Sequence, residues 1–284
     1  MNVSLAEVAP IAGREEDDIE QPFVEYLWPD LKGRRNALSL WPEDLAKLYE
    51  MDLTRYRTVE TGARDLMGPV RNLVDELIAM ELFVTSEVEL LIDDAPEEGT
   101  VVLHAVVDQE TFTASRPDAR TLLLQNPYPV MLQYVAVGRA AAQLRRLGRT
   151  VEVYRGERRF DLAAARSAVG LGKTETAYLL GIRVDSYRAN ERKGVVREAS
   201  LNDLQNLDDF ITEAAQGLEV TEKSGVSIVW LSDDQKAFEK KYPKARVQRS
   251  DTPYPVRMLW VAAGRRAGML EAAGRPVRIA LINK

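Results

Sequence analysis

Two kinds of apolar pattern alternate along the chain. In one, apolar residues recur every three or four positions, as at Val70, Leu73, Val74 and Leu77, which lays them along one face of a helix. In the other the apolar run is continuous and rich in β-branched residues, as from Val101 to Val107 and from Val226 to Trp230, which reads as buried strand. The helical pattern begins at Asp30, with Leu31, Arg35, Leu38 and Leu40 on a first short helix. Pro42-Glu43-Asp44 opens a second, proline fitting the first turn and acids favouring its positive end, and it ends near Tyr49. Thr54 to Glu60 makes a third with Tyr56 inward, and Leu66 to Glu81 makes later ones. Helices over Val130–Leu147 and Val256–Ala273 are each stopped by a glycine, Gly148 or Gly274, and short strands follow at Thr150–Tyr154 and Val277–Leu281.

The pattern occurs twice. Pro127-Tyr128-Pro129-Val130, Val135-Ala136, Gly138-Arg139, Leu144 and Gly148-Arg149 reappear at Pro253-Tyr254-Pro255-Val256, Val261-Ala262, Gly264-Arg265, Leu270 and Gly274-Arg275, always 126 positions later. About half the aligned positions are identical, far above the roughly one in fifteen of ordinary composition, so this is a duplication. The same offset joins Asp108-Gln109 to Asp234-Gln235, Phe112 to Phe238 and Pro117 to Pro243. Farther upstream the offset is 131, joining Asp30-Leu31 to Asp161-Leu162, Ala46 to Ala177, Tyr56-Arg57 to Tyr187-Arg188 and Glu60 to Glu191. The five-residue difference has to be absorbed between Glu60 and Val101, where the acidic loop Asp93 to Gly99 is the obvious place.

The repeat divides the 284 residues into an acidic N-terminal arm (1–29) and two copies of a pair of units. The first copy has a helical unit (30–90) and an α+β unit (91–156); the second repeats them (157–221 and 222–284). The expected fold class is α+β, mainly α, each copy joining three short helices to a small strand-helix-helix module that pairs with the other copy. The second copy shows the helical unit more clearly: Leu162, Arg166, Val169 and Leu171 on helix one, Lys173 to Leu180 on helix two, the turn Gly181-Ile182, and Arg183 to Glu191 on helix three, closed by Gly194. Ala177 is small where two helices cross, Gly181 suits the positive φ of a sharp turn, and Ile182 and Tyr187 face the core.

Charge changes the picture only in its distribution. Of the net charge of −6, the first 34 residues hold eight acids against three cations, so the duplicated body is close to neutral and global charge neither requires nor excludes nucleic acid. The absence of cysteine removes disulfides, thiolate metal sites and thiol nucleophiles and agrees with a reducing cytoplasm; the single histidine, His104, removes a histidine cluster or triad. No window is long and apolar enough for a membrane span. The expectation is a cytoplasmic chain without membrane contact.

The stretch carrying Ala177, Gly181-Ile182, Tyr187 to Glu191 and Gly194 resembles the lambda-repressor-like, or Xre-type, helix-turn-helix family over about 35 residues. The first copy departs from that pattern, with Glu50 where the family prefers glycine, Pro42 in place of Lys173 and Val59 in place of Asn190. The order of elements behind each helical unit, with Phe238, Tyr242 and Pro243, is similar to regulators associated with anti-CRISPR operons, in which the rear part joins two subunits. The resemblance implies a third helix that enters the DNA major groove. On the second copy it assigns Asp185, Ser186, Arg188 and Asn190 to bases and phosphates, with Lys173, Arg183, Arg192 and Lys193 flanking them; on the first copy it assigns Thr54, Arg55, Arg57 and Thr58. The implied function is a bacterial or phage transcriptional regulator acting as a single-chain pseudo-dimer on two unlike half-sites, with double-stranded DNA as partner. The alternative is a protein-interaction adaptor that keeps the helices as scaffold, its acidic arm meeting a protein partner.

Other constellations carry blander readings. Gly170-Leu171-Gly172-Lys173-Thr174 suggests a phosphate loop, but Ser167 stands where the earlier glycine is needed and no strand precedes it. His104 fits a core or half-buried position. The pairs Asp93-Asp94 and Asp233-Asp234 fit solvation and helix capping, so no metal site and no cofactor is expected. Nothing frames a nucleophile with a base, so no enzyme is expected. Arg139 and Arg265 fit a salt bridge at the interface between modules, with phosphate contact as the alternative.

Overall fold

The computed structural model describes residues 24–63 and 69–282. The fold is α+β and mainly helical. The first half runs α1 (Trp28–Ala37), α2 (Pro42–Leu48), α3 (Leu53–Glu60), α4 (Pro69–Asp93), β1 (Val101–Ala105), α5 (Gln109–Ser115), α6 (Met131–Arg146), β2 (Val151–Arg155) and β3 (Arg158–Arg159). The second half runs α7 (Asp161–Ala168), α8 (Lys173–Leu179), α9 (Val184–Lys193), α10 (Glu198–Gly217), β4 (Val220–Lys223), β5 (Val226–Leu231), α11 (Gln235–Lys241), β6 (Arg246–Val247), β7 (Thr252–Pro253), α12 (Arg257–Ala272) and β8 (Val277–Leu281). Four helices, a strand, two helices and a strand thus occur in the same order in each half. The acid cluster of the N-terminal arm lies outside the described residues.

The sheets are small and built alike. β1 pairs with β2 in parallel, Val101 opposite Val151, and β5 pairs with β8 in parallel, Ser227 opposite Val277. Each gains a short antiparallel edge, β3 on β2 and β4 on β5. β6 and β7 make a separate two-stranded ladder. The inward positions of β1 and β2 (Val101, Leu103, Val151, Val153) bury against Val137, Ala140 and Ala141 of α6, and those of β5 and β8 join the core around Trp260 and Val261 of α12.

The halves are bound by an exchange. The first helix of each half docks on the last helix and strand of the other: α7 on α6 and β2, α1 on α12 and β8. Close approach requires the matched glycines. A Cβ on Gly138 would stand 2.2 Å from the Ala164 carbonyl oxygen, and one on Gly264 would stand 2.4 Å from that of Gly33. In the first case the chain runs on through β3 from β2 into α7; in the second, β8 meets α1 without a covalent link. The same aspartate closes both junctions. Asp161 accepts from the Val153 amide at 3.1 Å, and Asp30 accepts from the Ile279 amide at 2.7 Å and the Leu27 amide at 2.8 Å. Around it the charges differ: Arg145 bonds Asp161 at 3.0 Å, whereas at the other junction Arg34 bridges to Glu271 at 2.6 Å.

Three expectations change. Leu66 to Gly68 lie outside the described residues; from Pro69 the expected several helices are one, which runs to Asp93 because its apolar positions keep one period throughout. The register difference is not absorbed mainly at the acidic loop. Equivalent arginines bond Glu81 and Asp208, 127 positions apart, so most of the extra length precedes Glu81. In the second half the matched helix ends three residues sooner, at Gly217, and β4 falls opposite the start of the loop that follows α4. His104 is exposed, not core, since it falls on the outward phase of β1, where its ring lies 6.2 Å from that of Tyr154.

Candidate nucleic-acid interface

Each half carries two short helices joined by a turn, held on its first helix by a matched buried pair. In the second half, Arg166 of α7 bonds Glu191 of α9 at 2.7 Å and the Leu171 carbonyl at 2.8 Å. In the first, Arg35 of α1 bonds Glu60 of α3 at 2.5 Å and the Leu40 carbonyl at 2.6 Å. Both arginines are buried, so each pair fixes the third helix's rotation about its axis, with Tyr56 or Tyr187 packed inward on the same face. The α8–α9 turn passes through Gly181 at φ 64°, and α9 ends on Gly194 at φ 68°. The α2–α3 turn asks the same of Glu50, at φ 51°, a conformation that costs a residue with a Cβ roughly 1 kcal/mol.

What remains outward is the candidate interface. On α9, Asp185, Arg188, Arg192 and Lys193 are exposed and Ser186 is half-buried; Arg183 precedes the first turn and is exposed. Asn190 is half-buried and lines the crevice beside Arg159 and Phe160, so it does not project with Arg188. Lys173, at the first turn of α8, is about half exposed, its ammonium 3.5 Å from Glu191. On α3, Thr54, Arg55 and Arg57 are exposed and Thr58 is half-buried, its hydroxyl donating to the Thr54 carbonyl at 2.7 Å. Corresponding arginines are held differently. Arg57 pairs with the Glu43 carboxylate of α2, and Arg188 donates to the Thr174 hydroxyl of α8 at 3.2 Å.

The starts of α2 and α8 lie against each other. A Cβ on Gly172 would meet the Trp41 ring at 3.0 Å. Arg257 of α12 bridges the two units: it lies over the Trp41 ring at 4.6 Å, donates to Asn36 at 2.7 Å and bonds Glu175 of α8 at 2.8 Å. Burial lowers its pKa against the pull of Glu175. Arg257 was not legible as a site residue, because Met131 stands at its matched position and the repeat gives no signal. The pairs of Arg35 with Glu60 and Arg166 with Glu191 had a signal, an arginine and a glutamate 25 positions apart in both copies.

Arg139 and Arg265 make the structural salt bridges of the blander reading. Arg139 pairs with Glu81 at 2.5 Å and donates to the Ala37 carbonyl at 2.8 Å; Arg265 pairs with Asp208 at 2.6 Å and donates to the Ala168 carbonyl at 2.8 Å. Burial opposes ionisation of Asp208, but Arg265 and Arg146 outweigh it and hold its carboxyl below the usual range. Asp108 and Asp234 cap α5 and α11, accepting from Thr111 at 2.8 Å and Ala237 at 2.6 Å. Among the described residues no group of histidines or acids has the arrangement of a metal site, and no helix is long and apolar enough to cross a membrane. Comparison with protein-family models, with curated proteins and with solved structures finds no match to this chain.

Proposed function

We propose that the chain is a sequence-specific DNA-binding transcriptional regulator, a single-chain pseudo-dimer of two helix-turn-helix units that reads two unlike half-sites. The observation that carries this reading is the outward face of α8 and α9. There Lys173, Arg183, Arg188, Arg192 and Lys193 are exposed on two helices joined by a glycine turn, with the third helix pinned by a buried pair. A helix of this kind fits the major groove, its cations meeting phosphates and Arg188 reaching a guanine edge. The exchange of first helices and the Arg257 bridge support a fixed relation between the units, which pairing on one duplex requires. Because Thr54, Arg55, Arg57 and Thr58 differ from Asp185, Ser186, Arg188 and Ala189, the two half-sites differ. Repression by occluding a promoter follows from such occupancy.

The adaptor reading is favoured by one feature of the first half. Leu122, Leu123 and Leu124 are 59%, 51% and 46% exposed beside the end of α2, their loop fixed by the Glu76 carboxylate, which accepts from the Leu122 and Leu123 amides. The matched residues Gln248, Arg249 and Ser250 are polar. A gel shift with genomic fragments at low and moderate salt separates the two readings. Binding that weakens steeply with salt belongs to a regulator, and its absence at low salt belongs to an adaptor.

A further inference from the structure

Between α4, α6, α10 and α12 lies a cavity of about 430 Å³, within the size range of small-molecule sites. Each half contributes the same positions to it: Thr85 with Thr212, Val88 with Ala215, Arg139 with Arg265. Its walls are mostly apolar, with Ile92 and the half-exposed Met269 toward the mouth, and its inner end holds the two arginines. The arginine bonds described above leave donors over. The Nε of Arg139 and the Nε of Arg265 are buried without a partner. Burial lowers the Arg265 pKa; Asp208 opposes this and the neighbouring Arg139 charge adds to it. Those two nitrogens lie beneath the cavity surface; both arginine side chains still line the cavity, 12% and 11% exposed, so a carboxylate at this inner end meets charge-assisted donors. The acids are placed otherwise. Glu81 and Asp208 are occupied by the arginines, while Glu89 and Asp93 are exposed at the outer turns of α4.

We infer that this cavity binds a small organic acid, its carboxylate toward Arg139 and Arg265 and its apolar body along Val88, Ile92, Ala215 and Met269. Where the halves differ, Gln143 faces the matched Met269 and Glu89 the matched Gln216, so the site is lopsided and takes an asymmetric molecule in one orientation. Binding at this position ties α4 to α10, the helices that follow α3 and α9. The inference concerns binding and stands apart from the reading of DNA.

The test uses the full chain without DNA and three probes of equal length, octanoate, octanol and octylamine, titrated by calorimetry and by thermal unfolding. Octanoate is expected to bind and to raise Tm, octanol to bind more weakly and octylamine not at all. Met269→Trp and Gln143→Trp each fill the mouth from an outward helix position, and are expected to weaken octanoate about tenfold or more with the unliganded Tm little changed. Two substitutions guard against one failing to fold. Absence of octanoate binding, equal binding of the three probes, or undiminished octanoate binding by a folded filled variant would overturn the assignment.

Discussion

The two helical units share a scaffold and differ in what they present. On the exposed faces of α2 and α3, Lys47, Arg55 and Arg57 are set against Glu43, Asp44, Glu50 and Asp52. On α8 and α9, Lys173, Arg183, Arg188, Arg192 and Lys193 are set against Glu175 and Asp185. One face is slightly acidic and the other clearly basic, and matched residues make the change: Glu43 against Thr174, Asp52 against Arg183, Glu50 against Gly181. Underneath, the buried arginine-glutamate pair is the same. The interior is constrained by packing, where an unpaired buried charge is costly, and the outward positions, which carry no such constraint, differ. On the proposed function, the second unit supplies most of the phosphate attraction and the first adds a weaker, differently specified contact.

The scaffold half of this comparison predicts the largest effects. Replacing Arg35 by Ala leaves the Glu60 carboxylate without its cation and should cost about 3–5 kcal/mol of stability by denaturant unfolding; Arg166→Ala should cost somewhat less, because Lys173 still reaches Glu191. A loss for Arg166→Ala as large as or larger than that for Arg35→Ala would show that the Lys173 contact contributes nothing.

The two junctions give the next effect. Burial pushes Asp30 up to about 6, against the pull of Arg34. The folded protein therefore keeps a proton there that the unfolded chain has lost, and stability falls as pH rises from about 4 to about 6, then levels. A difference of about two units corresponds to roughly 3 kcal/mol at full effect. Asp30→Asn should flatten this part of the stability profile, measured by unfolding at a series of pH values; an unchanged slope would move its source to another group.

Binding effects come third. Arg188→Ala should cost about 1–3 kcal/mol of DNA affinity if it reads a base, and Arg57→Ala less, because Glu43 already occupies that guanidinium. The converse change sharpens the comparison: Glu43→Thr, which copies the second unit, should strengthen DNA binding, read by fluorescence anisotropy. The smallest effect is in the turns. Glu50→Gly should stabilise by about 0.5–1 kcal/mol and Gly181→Ala should destabilise by a similar amount, both measured by unfolding.

The elements with strong periodicity were legible in the sequence: the common order of elements in the two halves, the helices Met131–Arg146 and Arg257–Ala272, the turn at Gly181 and the closure at Gly194. Repetition helped most where a residue type is physically demanded, as at Gly138 and Gly264, and at Arg139 and Arg265. It helped least where the halves diverge. Arg257 has no counterpart, so its bridge from Trp41 to Glu175 depends on the folded arrangement alone. The reach of α4 to Asp93 had a signal that was missed, since Val84, Val88 and Ile92 continue the period of Leu73 and Leu77. The exchange of first helices between halves depends on contacts far apart in sequence, Asp30 with Ile279 and Arg34 with Glu271, which no local pattern encodes.

The most direct test of the central claim is the salt dependence of binding to DNA fragments selected by the full chain, compared between the native protein and a variant in which Arg188, Arg192 and Lys193 are alanine. The account predicts a steep loss of affinity with salt for the native chain and a much shallower slope and weaker binding for the variant. Equal slopes and affinities for the two, or no selection of any fragment at low salt, would contradict it.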